Sequence, residues 1–119
     1  MGVDESRLRV KHEGAVTQVE FVDRNILDEG FIQQIGHEID ELIAATDQPK
    51  LLLSFSNVDH LSSAALGTLI TIHQKVKEKS GQLRLSDIDP QIHEVFIITK
   101  LDNLFEIHDD VDGAMASFA

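Results

Sequence analysis

The chain has 119 residues, 42% of them hydrophobic, with no cysteine, tryptophan or tyrosine. These numbers fit one compact domain over residues 1–119, with an aliphatic core completed by six phenylalanines, and they exclude a disulfide framework and thiol chemistry. The net charge of −11 repels nucleic acid and anionic membrane surfaces, and leaves a basic protein partner open.

The segment from Met1 to Arg7 holds no apolar stretch of signal-peptide length. No run approaches the ~20 apolar residues of a membrane span, so the cytoplasm is the expected location. Leu8, Val10 and His12 alternate with Arg7, Arg9 and Lys11, which predicts a strand with one buried face. Glu13-Gly14 makes a turn, and residues 16–22 return as the second arm of a hairpin. Asp28 is a candidate N-cap for a helix running to about Ala45, with Ile32, Ile35, Ile39, Leu42 and Ile43 on one face. Pro49 ends that helix, and the apolar run 51–55 predicts a buried strand.

Residues 66–79 then predict a second helix, with Leu66, Leu69, Ile70, Ile72, His73 and Val76 facing inward or nearly so. Its lysines gather near the C-terminal end, where the helix dipole favours cations. Leu83 and Leu85 alternate with Gln82 and Arg84 in a further strand. Asp89-Pro90 starts a third helix carrying Ile92, Val95 and Phe96, residues 104–107 predict a last strand, and Val111, Met115 and Phe118 fall at helical spacing. The predicted order is β-β-α-β-α-β-α-β-α. This is an α/β domain: a mixed, mostly parallel sheet of four to five strands, opened by an antiparallel hairpin, with about four helices.

The junction 58–67 is the most informative stretch. Ser62 and Ser63 sit where a strand hands over to a helix. The first four N–H groups of a helix lack internal partners and the dipole there favours negative charge, so the position suits an N-cap or a phosphate. The six histidines include no i, i+4 zinc pair, and no metal or cofactor is expected. His60, in the loop before Ser62, is a candidate for tuning docking with pH. Asp87, Asp89, Asp109, Asp110 and Asp112 lack the spacing of a calcium loop and are expected in solvated loops. Asp59 follows a central strand, but the opening hairpin lacks the acidic pair that an aspartyl-phosphate receiver needs. No Gly-x-Ser-x-Gly elbow and no glycine-rich phosphate loop is present. An enzyme is not expected.

The ordered set of these features resembles the STAS domain family. Ser62-Ser63-Ala64-Ala65-Leu66-Gly67 occupies the place of the family's Asp-Ser-Ser/Thr-Gly-Leu-Gly. The strand at 51–55 with Val58, the strand at 81–85 and the ending 101–107 extend the likeness over nearly the whole chain. Ser62 stands for the family's aspartate, Ala64 for its second hydroxyl residue and Ala65 for its first glycine. The resemblance implies an anti-sigma-factor antagonist that works by partner switching. It would bind an anti-sigma factor, a GHKL-type serine kinase, while Ser63 is unphosphorylated, and release it once Ser63 is phosphorylated; a serine phosphatase would reverse the step. Asp59, His60, Ser62, Ser63, Ala64, Ala65 and Gly67 are the expected partner-binding residues. The amides of Ala65 and Leu66 are expected to receive the phosphate. The plainer reading is that Ser62 or Ser63 only caps the helix, worth ~1 kcal/mol. The alternative function is a STAS scaffold subunit, never phosphorylated, inside a larger transport or signalling assembly.

Overall fold

A computed structural model describes residues 8–118; Arg7 and the rest of the N-terminal segment read above lie outside the described residues. The elements run β1 (Leu8–Glu13), β2 (Val16–Phe21), β3 (Asn25–Ile26), α1 (Glu29–Ala44), β4 (Lys50–Ser54), β5 (His60–Leu61), α2 (Ser63–Glu78), β6 (Gln82–Ser86), α3 (Pro90–Ile98), a 3-10 turn (Leu101–Asn103), β7 (Glu106–His108) and α4 (Val111–Ala116). Five strands form one sheet in the order β1-β2-β4-β6-β7. The hairpin β1–β2 is antiparallel, and the pairs β2–β4, β4–β6 and β6–β7 are parallel. The expected mixed sheet and four helices are present.

β4 explains the layering. It sits in the middle of the sheet and its apolar run does not alternate, because both faces are covered. Leu51 and Leu53 join the main core with Val19, Phe21, Ile39, Leu69, Leu85 and Phe96. Leu52 points the other way, into a smaller cluster with Val16 and Ala114, against which Val111, Met115 and Phe118 pack. α4 therefore closes the second face. Its docking is reinforced by Arg84, which pairs with Glu106 at 2.8 Å, bonds the Ser117 hydroxyl at 3.0 Å and lies 5.1 Å from the Phe118 ring centroid.

α1 and α2 lie side by side and run the same way. Gly36 faces the Thr68 methyl, Lys75 pairs with Asp40 at 2.8 Å, and Lys79 Nζ donates to the Ile43 carbonyl at 2.9 Å. These contacts advance together along both helices, so both N-termini emerge at one edge of the sheet. At the opposite edge Gly81 is obligatory, because a Cβ there would collide with the Pro49 carbonyl oxygen, which accepts from Gln82 N at 2.8 Å.

Three expectations need correction. β1 has no buried face beyond Leu8: Val10 and His12 are exposed, because an edge strand beside β2 lies outside the cover of the helices. α2 starts three residues earlier than its apolar pattern, which adds Ala65 to its buried line; Leu69, Ile72 and Val76 are buried and Leu66, Ile70 and His73 half-buried, as expected. The last strand is Glu106–His108, because Leu101–Asn103 coils as a 3-10 turn that ends in Phe105.

Candidate functional site

The stretch between β4 and α2 is short and fully anchored. Phe55 and Val58 are buried and close a turn, Val58 N donating to Phe55 O at 2.9 Å. Asn57 Nδ2 donates to Phe21 O at 3.3 Å. The Arg24 carbonyl accepts from Asp59 N at 2.7 Å and His60 N at 3.2 Å, and Arg24 Nε donates to Asp59 Oδ2 at 3.0 Å. β5 then pairs with β3 in parallel, Asn25 with His60 and Ile26 with Leu61, and Ser62 N donates to Ile26 O at 3.1 Å. This two-residue ribbon holds the serines in place. It is the part of the site that the sequence pattern misses, since two residues carry no period.

The two serines divide the work. Ser62 is the N-cap of α2: its backbone is extended, and its hydroxyl accepts from Ala65 N at 3.1 Å. Its carbonyl accepts from Leu66 N at 3.2 Å. Serine and aspartate are about equally good caps, so a serine in place of the family's aspartate keeps the cap and removes one negative charge beside Ser63. Ser63 is the first residue of the helix and is exposed. Among the described residues its hydroxyl takes no hydrogen bond, and neither do the amides of Ser63 and Ala64. The Ala65 and Leu66 amides are already used, so they do not receive a phosphate; the open donors are one turn-step earlier.

The surroundings are small and acidic. Ala64 and Gly67 are exposed, and a Cβ on Gly67 would meet nothing within 4 Å. His60 is exposed and Asp59 is half-buried. Ala65 is the exception among the expected surface residues: it is buried and lies beneath the surface. Leu27, which follows β3 directly and so stands beside Ser62, is 52% exposed. Asp28 caps α1, accepting from Phe31 N at 3.1 Å, and Glu29 lies in its first turn. Under this edge lies a cavity of about 20 Å³ lined by Phe21, Ile26, Phe55, Leu61, Ala65 and Leu69 among others. That is room for about one water, in a lining that is apolar except for Thr68.

The remaining candidates fall into structural roles. Asp89 and Asp110 cap α3 and α4. Asp87 accepts from the buried Ser86 hydroxyl at 2.8 Å and from Ser54 at 3.4 Å. The histidines are dispersed, and no group of three or more metal-ligating side chains occurs among the described residues. Among those residues no helix is long and apolar enough to cross a membrane.

Comparison with known proteins gives a consistent picture. Residues 15–114 match the STAS domain family. The Anti-sigma F factor antagonist of Paenibacillus polymyxa is 22% identical over 89 residues, which cover 75% of this chain and 76% of that protein. The structure of an anti-sigma-factor antagonist (STAS) domain protein from Planctomyces limnophilus superposes with a TM-score of 0.83 at 23% identity, covering 94% of this chain and 97% of that one. The Bacillus cell fate determinant SpoIIAA in its phosphorylated form superposes with a TM-score of 0.69 at 13% identity, covering 92% and 96%. At such identities the superpositions show the fold, a single α/β domain with antiparallel β1–β2 and an otherwise parallel sheet. Most of the chain lies within the matched span, and the chain belongs to the STAS domain family.

Proposed function

We propose that this chain is an anti-sigma-factor antagonist that works by binding, and that phosphorylation of Ser63 switches the binding off. The observation that carries the reading is the division of labour at the start of α2. Ser62 takes the cap, which leaves Ser63 with an exposed hydroxyl that no structural role consumes. The names of the relatives support the role, and SpoIIAA has been solved in both unphosphorylated and phosphorylated forms.

The physics of the switch is local. A phosphate on Ser63 adds about −1.5 to −2 charges. The Ser63 and Ala64 amides and the α2 dipole accommodate it, so the fold stays intact. A partner seated on Ser63, Ala64 and Gly67, with Leu27 as an apolar anchor, would have to bury that charge. Leaving a buried charge unpaired costs about 3–5 kcal/mol. Asp28 and Glu29 at the start of α1 favour a basic partner surface: the anti-sigma factor, a GHKL-type serine kinase, with a serine phosphatase resetting the site in the cytoplasm.

Site-resolved phosphopeptide mass spectrometry on the native protein, from growing and from stressed cells, tests this. The expected result is a phosphate on Ser63 whose occupancy changes with condition. Full coverage of the Ser62–Ser63 peptide with no phosphate in either condition would instead identify a constitutive scaffold subunit.

A further inference from the structure

At the end of α2 remote from Ser63 the sheet steps back. β6 starts at Gln82, but β7 first pairs with it at Arg84, so Gln82 and Leu83 lie beyond the β7 pairing. The second half of α2 borders the gap. The result is an open cleft of about 250 Å³, with His73, Val76 and Lys77 on the helix side and Leu83, Leu104 and Glu106 on the sheet side. Pockets for drug-sized molecules run to about 300–1,000 Å³, so this cleft fits a smaller one.

The charges of the cleft do not cancel. Arg84 and Glu106 neutralise each other at 2.8 Å, and Arg84 is further spent on Ser117 and the Leu83 carbonyl. Glu106 is also held by His108 at 2.7 Å. Lys75 and Lys79 of α2 are tied to Asp40 and to the Ile43 carbonyl. Lys77 between them is not: among the described residues its ammonium forms no ion pair and no hydrogen bond. In a chain of net charge −11 this cleft is locally positive. His73 feels the same field, since burial and then the Lys77 charge lower its pKa and no carboxylate acts the other way. Val76, Leu83 and Leu104 supply an apolar wall beside the free cation. We propose that the cleft binds a small organic anion, a monocarboxylate on a short aliphatic body, with the carboxylate on Lys77 and the body against Val76, Leu83 and Leu104. A bare inorganic anion leaves the apolar wall unused, a neutral molecule leaves Lys77 unanswered, and a dianion carries more charge than the one free ammonium meets. The cleft is open to solvent on one side, so binding is weak, with a Kd of about 1 mM. Ser63 lies about 20 Å away along the α2 axis at ~1.5 Å per residue, and the inference does not depend on its being phosphorylated.

Titration of the isotope-labelled full chain with sodium hexanoate at constant ionic strength, followed by amide chemical shifts, tests it. Saturable shifts are expected at His73, Lys77, Gln82, Leu83 and Leu104, and none at Ser63 and Ala64. Hexanamide keeps the body and lacks the charge; inorganic phosphate keeps a charge and lacks the body. Each should bind about tenfold more weakly than hexanoate, or worse. Lys77→Gln should weaken hexanoate about tenfold with an unchanged melting temperature, because the exposed Lys77 holds no contact in the fold. Lys75→Gln removes the same charge from the same helix outside the cleft, and should leave the affinity within about twofold of wild type. Shifts that fail to saturate well above the ~1 mM expected overturn the proposal. So does equal binding of hexanoate and hexanamide, an affinity that Lys77→Gln leaves intact, or a loss in Lys75→Gln as large as that in Lys77→Gln.

Discussion

The first turn of α2 and the last turn of α3 are both exposed ends of helices that pack on the same face of the sheet, and they are built from opposite materials. The first presents Ser63, Ala64 and Gly67, small side chains with two open amides and an acidic rim. The second presents Ile97 and Ile98, aliphatic groups with no polar atom to spend. A contact made through small polar residues is flat and weak until a partner covers it, and a single added charge undoes it. A contact made through isoleucines cannot be switched by covalent charge. The molecule thus separates a surface suited to being toggled from a surface suited to being covered.

The strongest test of this separation is Ser63→Asp. It is expected to weaken binding of the proposed anti-sigma-factor partner by about 3–5 kcal/mol, roughly two to nearly four orders of magnitude, measured by isothermal titration calorimetry. Its melting temperature should match wild type, because the new carboxylate sits at a helix N-terminus. Equal affinity, or loss of the fold, would remove Ser63 from the switch. Next in size is Leu27→Ala, which should cost about 1–2 kcal/mol of the same affinity, as an anchor residue does when truncated. Ile97→Ala, at the other end, should leave that affinity unchanged. If Ile97→Ala weakens the partner as much as Leu27→Ala does, the two surfaces are one.

The adjacent serines sharpen the comparison within a single turn. Ser62→Ala leaves the Ala65 amide without its acceptor and should cost about 1 kcal/mol of stability, read from chemical denaturation. Ser63→Ala removes a hydroxyl that bonds nothing and should fall within about 0.5 kcal/mol of wild type. Equal losses at the two positions would mean that both serines serve the helix.

Much of this was legible in the chain. The unbroken apolar run of β4 signals a strand covered on both faces, and the capping residues Asp28 and Asp89 mark helix starts correctly. The site motif is legible only to the level of two serines at a junction; which one caps is decided by the β3–β5 ribbon, whose Ile26 carbonyl fixes Ser62 N. Two-residue strands have no periodicity to read. Ala65 and Ala114 are buried although small residues give little hydrophobic signal, since close approach of a helix to the sheet needs their small size. Val10 fails in the other direction. Its apolar character fits the pattern of a buried face, but whether anything covers that face is set by distant parts of the chain.

The smallest effect concerns the contact between the second half of α2 and the region around α3. His73 of α2 meets Phe105 edge-on, with centroids 5.5 Å apart, and Phe105 in turn packs on Phe96 of α3. Burial, and then the charge of Lys77, hold the His73 imidazole below its ordinary value of 6.5. The folded chain therefore resists a proton that the unfolded chain accepts readily. The stability that depends on a neutral His73 is complete above pH 6.5 and is lost as pH falls through the lower folded value. Glu106 titrates in a separate window: its hydrogen bond from His108, with smaller help from Arg84, holds its carboxyl below 4.5 against the opposing effect of burial. Its contribution is present above 4.5 and disappears as pH falls through its own folded value. Thermal melts from neutral pH to below pH 4.5 should accordingly show a decline in the upper window in wild type that His73→Gln flattens, while the loss below 4.5 persists in both. Parallel curves for the two proteins across the upper window would mean that the α2–α3 link tolerates an imidazolium, and that the two helix ends are coupled only through the aliphatic core.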